Sequence, residues 1–147
     1  MADMSKARLP KPADQLAGCL WLPRFAAKVR LHAAGQLGAD YAFAFCHPRA
    51  IDGRFLAHFG LEKDDAIAAI LNTSQDSELA QWFTSLPKVN AASILAWNAF
   101  APLIGRPGLP GEREFAFMLR RMFPDGGPPV PLASAFEAIL WDERENH

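Results

Sequence analysis

Residues 16–41 read LAGCLWLPRFAAKVRLHAAGQLGADY. This stretch decides the fold class. Pro23 suits the first turn of a helix, where its missing N–H leaves no bond unmade. Leu22, Phe25, Ala26, Val29 and Ala33 follow at helical spacing. Gly35 stands where a C-cap glycine ends a helix. The spacing therefore predicts a first helix that begins near Trp21 and stops before Gly35.

Residues 1–15 hold Pro10 and Pro12 among charges and read as a partly ordered N-terminal arm. On the other side, Tyr41, Phe43 and Phe45 alternate with small residues, the pattern of a short strand. No second strand shares that pattern, so the expectation is an extended aromatic segment near 41–46, packed on helices. Asp52 is placed to cap a short helix, GRFLAHF, ended by Gly60. Residues 61–71 form a third helix, with Asp64 and Asp65 in its first turn, where the helix dipole favours anions. Ser74 or Ser77 starts a fourth. After Pro87, Asn90 or Ser93 starts SILAWNAFAPLI, apolar almost all round and so expected to be central and buried. EREFAFMLRRMF and AFEAILWDERE follow, separated by the rigid connector DGGPPVP. The fold class read from this pattern is all-α, a single irregular bundle of six or seven helices forming one domain over residues 1–147.

Composition narrows the function classes. The chain has 147 residues, half of them hydrophobic, enough for one core. Its 15 basic and 16 acidic residues give a formal net charge of −1, with no general drive toward nucleic acid or an anionic membrane. The two cysteines, Cys19 and Cys46, form no metal or disulfide framework, which fits a reducing, cytoplasmic setting. No signal-peptide pattern and no membrane-length apolar run occurs.

The order Trp-Leu-Pro-Arg at 21–24, Lys28 and Arg30, then Gln36-Leu37-Gly38, resembles an uncharacterised bacterial family of small cytoplasmic proteins, a domain of unknown function. Its pattern is Leu-Pro-Arg, then Asp-Lys-x-Arg, then Gly-Asn-Leu-Gly-x-Tyr. Here Gln36 replaces Asn, Tyr41 sits one residue later, and Ala27 stands where the family has Asp. The resemblance covers roughly residues 8–100 and implies a fold, without a reaction.

Several constellations bear on function. Arg24, Lys28 and His32 lie four residues apart, one row on a helix. Two such cations can hold a carboxylate or phosphate, with Arg24 supplying a planar fork. A solvated basic face is the bland alternative. Cys46 and His47 are adjacent but point to opposite faces of an extended chain, so they are poorly placed to form a nucleophile and base. Asp52 reads first as a cap, with Asp40, His47 and Asp52 as the nearby supply of a general base. Trp97 and Asn98 fall in the most apolar helix, where a buried amide must find partners. The four tryptophans read as core anchors. No phosphate loop, zinc-protease helix or dinucleotide fingerprint occurs, so neither metal nor cofactor is expected. Whether the chain is an enzyme is left open.

The reading that gathers most of these residues is a pocket between the first helix and the Tyr41 segment. It would bind, and in an enzyme transform, a small anionic or polar-aromatic ligand. Trp21, Arg24, Lys28, Tyr41, His47, Asp52, Trp97 and Asn98 are its candidate residues. The alternative is a helical interaction module or a homodimer without a small-molecule site.

Overall fold

The computed structural model describes residues 8–144. It opens with a minimal hairpin, β1 (Gln15–Leu16) and β2 (Cys19–Leu20), paired antiparallel with Gln15 opposite Leu20. The two-residue turn between them places both Ala17 and Gly18 at positive φ, as a tight hairpin turn requires. The helices follow as α1 (Leu22–Ala33), α2 (Ala39–Ala42), α3 (Ile51–His58), α4 (Lys63–Leu71), α5 (Asp76–Thr84), α6 (Ala91–Phe100), α7 (Glu112–Met122) and α8 (Ala135–Asp142). A 3₁₀ turn, Ala101–Leu103, extends α6. Seven of these helices are those expected from periodicity, and the all-α class holds.

The eighth, α2, corrects the expectation of an extended segment near 41–46. The chain there is a short helix and a run of turns, closed by bonds from Ala44 N to Tyr41 O, Phe45 N to Ala42 O and His47 N to Ala44 O. An isolated extended segment would leave those polar groups without a ladder, whereas local turns satisfy them. Phe45 packs inward on Phe25 and on the His32 ring, and Phe43 faces solvent. The small β1–β2 hairpin lies elsewhere, and its two strands pair only with each other.

Residues 1–7 of the expected arm lie outside the described residues. The rest of that arm is tied down, with Leu9 and Pro12 buried and the Pro12 carbonyl accepting from Trp21 N at 3.1 Å.

The core is one contiguous apolar cluster. At its centre Phe55 meets Phe25, Phe59, Phe83 and Trp97, with ring centroids 5.3–6.2 Å apart. Such aromatic contacts each add about 0.5–1.5 kcal/mol beyond area burial. Asn90 and Ser93 form a reciprocal capping box at the start of α6. That helix is not buried on every side, however. Trp97 is sealed, but Leu95 is 71 % exposed and the alanines at 91, 92, 96 and 99 face solvent. Small alanines tolerate water at little cost, so an apolar composition did not force central placement.

Candidate functional site

Two ion pairs are buried side by side where α1 meets the Tyr41 turn, α3 and the end of α8. The Pro23 start of α1 orients Arg24 and Lys28 inward from consecutive turns. Arg24 is 2 % exposed and Lys28 4 %, so neither belongs to a solvated basic face. His32, one turn further on, is exposed.

Lys28 Nζ lies 2.7 Å from Asp52 Oδ2. The same oxygen accepts from Cys46 N at 3.1 Å, and Asp52 Oδ1 accepts from Trp21 Nε1 at 2.8 Å. Asp52 is therefore not the cap of α3. Ala50 holds that position without a side-chain bond. A carboxylate in the first turn is spent on a lysine, an indole and a backbone amide because all three converge on it in a buried space.

Arg24 makes a bidentate pair with Glu143, with Nη1–Oε1 at 2.9 Å and Nη2–Oε2 at 2.6 Å, and gives a further bond to the Pro10 carbonyl. Its guanidinium lies over two rings, with Cζ 5.3 Å from the Trp21 centroid and 5.7 Å from that of Tyr41. Lys28 Nζ lies 5.6 Å from the Trp21 ring as well. Trp21 thus touches both ion pairs, through its faces and through its N–H.

Backbone strain converges on the same carboxylate. Among the described residues only Ala17, Trp21 and Cys46 are non-glycine residues at positive φ. Trp21 (φ 74) and Cys46 (φ 58) both donate to Asp52. Such conformations cost about 1–3 kcal/mol each and persist where surrounding contacts over-determine them. Gly53 makes the approach feasible. A Cβ there would collide with the backbone of His47 and Pro48, so the 46–48 turn could not press against α3 and reach Asp52.

Satisfaction is incomplete at Arg24. Its Nε is a buried donor without a hydrogen-bond partner. The Tyr41 hydroxyl lies beside Glu143, and burial, reinforced by the charge of that carboxylate and by hydrogen bonding to it, pushes the phenol above its ordinary range.

Cys46 gains nothing as a nucleophile. Burial, then the Asp52 charge, pushes its thiol up to about 11. Cys19, also buried, is pushed up to about 12. A thiol this weakly acidic carries almost no thiolate near neutrality.

The other expected site residues lie apart from this knot. His47 is exposed, its Nδ1 accepting from Arg49 N. Trp97 Nε1 donates to Leu20 O at 2.9 Å, and Asn98 spans Leu20 N and Gly18 O. Together they fasten the β1–β2 hairpin to α6. Among the described residues no group of three His, Cys, Asp or Glu side chains is arranged to hold a metal. An open groove of about 590 Å³ lined by Gly105, Phe115, Leu119 and Leu132 contains none of the expected site residues.

Glu143 is the residue that sequence reasoning missed. A signal for it did exist. Asp142 and Glu143 stand at the C-terminus of α8, where the dipole disfavours anions. Acidic residues kept at that end point to a cation elsewhere.

The sequence matches a family described as a domain of unknown function (DUF5069) over residues 7–143. The chain belongs to that family. No curated protein matches it. The DUF5069 match runs beyond the Leu-Pro-Arg block and takes in α7, α8 and Glu143, so both halves of the Arg24–Glu143 pair fall inside the family's extent.

Proposed function

We propose that this DUF5069 protein binds a small anionic ligand between α1 and the Tyr41 turn. Arg24 is its anion-holding group, and Trp21 and Tyr41 are its aromatic walls. One observation carries the reading. Arg24 Nε is a buried donor without an acceptor, against the Tyr41 ring, in a chain that satisfies nearly every other buried side-chain polar atom among its described residues. An unmet buried donor costs about 1–3 kcal/mol, which an acceptor atom from a ligand would offset. The Asp52–Lys28 pair, gripped by Trp21 and Cys46, is the rigid floor that fixes the walls.

A melting-temperature screen against small carboxylates and phosphate tests this. Selective binding to the native state should raise Tm for at least one anion. Tyr41→Phe, which removes the hydroxyl from the aromatic wall, should shrink that rise. A screen in which no anion moves the melting curve would sink the reading.

A second reading has one observation in its favour. Phe43 and Phe117 are 61 % and 45 % exposed, stack at 6.4 Å, and are covered by the Arg121 guanidinium. An interaction module or homodimer would use such a patch. Light scattering of the wild type beside Phe43→Ser distinguishes it. A dimer that the substitution dissolves supports this second reading.

A further inference from the structure

We infer that Glu143 is a built-in carboxylate occupying the ligand's place on Arg24, so that the last turn of α8 is a latch which a free carboxylate must displace. The inference rests on the anion-site reading above and names both the ligand class and its regulation.

The geometry at Arg24 is that of ligand capture. Two parallel N–H···O bonds hold a carboxylate edge-on while aromatic rings lie against the guanidinium. A planar two-oxygen group already matches this fork, which favours a carboxylate over other anions. The carboxylate comes from 119 residues away in sequence, at the end of a short helix.

That helix is anchored unevenly. Its first half is fixed. Ser134, Ala135, Phe136 and Ala138 are buried, Ala135 N bonds Ile104 O, and Phe136 stacks on Trp21 at 5.6 Å. Its second half is less buried, with Trp141 resting on Phe123 at 5.2 Å. Ile139, Trp141 and Asp142 are half-buried and Leu140 is exposed. Glu143 then returns to 3 % exposure through its pair with Arg24. A half-buried turn held at its end by a deeply buried ion pair can open without unpacking the helix start, giving up the Trp141–Phe123 contact as it does. A buried ion pair is also a poor source of net stability, because desolvation offsets most of its attraction. Opening is therefore cheap when another carboxylate replaces Glu143. Until then, the closed population weakens apparent affinity by the fraction of molecules that are open.

The experiment titrates benzoate into wild type, Glu143→Ala and Arg24→Met/Glu143→Ala, followed by calorimetry. Benzoate supplies the carboxylate and a ring for Trp21 and Tyr41. Binding to Glu143→Ala should be at least tenfold tighter than to wild type, and the double variant should lose it. Equal affinity in wild type and Glu143→Ala overturns the latch and leaves the anion site standing. Absence of binding in both removes the site and the latch together. A gain seen with phosphate but not with benzoate overturns the carboxylate assignment. Should Glu143→Ala fail to fold, amide exchange of the wild type decides. Benzoate should speed exchange at residues 139–142 while α1 stays protected, and unchanged or slower exchange there in a benzoate-bound protein refutes the latch.

Discussion

At the scale of single residues, the chain's unusual expense is Asp52, Lys28, Arg24 and Glu143, four ionised side chains each under 5 % exposed. Removing one partner of a buried pair leaves a charge without compensation and costs about 3–5 kcal/mol. Lys28→Ala should therefore destabilise by that amount in urea unfolding. Lys28→Met combined with Asp52→Leu should recover a large part of it. A double variant no better than the single would mean that Asp52 matters through Trp21 and Cys46 and not through the lysine. The buried acids Cys19, Cys46 and Tyr41 set a second expectation. All three are held above their ordinary values, chiefly by burial. A raised folded value means the protonated form is favoured by folding. Their contribution is complete below the ordinary thiol value of about 8.5 and is lost as pH climbs through the folded values. Tm should fall between about pH 9 and 11, and Cys19→Ala should flatten that fall. A Tm independent of pH across that window would contradict the burial of these groups.

At the scale of elements, α6 shows how composition and placement part company. Trp97 is fully buried against Phe55, Phe59 and Phe100, while Leu95 two residues earlier is largely in water. Trp97→Ala should cost roughly 3–5 kcal/mol, the range for a large buried aromatic. Leu95→Ser should change stability by no more than about 0.5 kcal/mol. Comparable losses at both positions would show α6 buried on a second face. The Tyr41 segment teaches the converse. Its alternating aromatics carried a strand signal, yet a strand needs a partner ladder and none was within reach. Helix α8 carried its own legible flaw, acidic residues at the wrong end of the dipole, and that flaw marks its tie to α1.

At the scale of the molecule, the single apolar cluster joins residues from the hairpin to α8. We propose on that ground that residues 8–144 unfold as one unit. Tryptophan fluorescence and far-UV circular dichroism should then give coincident urea transitions, and separated midpoints would divide the chain. Sequence alone carried seven of the helices and the row that sets Arg24 and Lys28 one turn apart. These depend on neighbours three or four residues away, and helical periodicity records such spacing directly. It also brought Trp21, Arg24, Lys28, Tyr41 and Asp52 into one candidate set. What it could not supply was who pairs with whom. Asp52 reaches Trp21 across 31 residues and Glu143 reaches Arg24 across 119. Gly53 matters because a turn presses on it, and Cys46 because its amide, not its thiol, faces Asp52. Those choices were decided only when the helices packed, because the desolvation of a charge depends on every surface that closes over it and no local spacing encodes that.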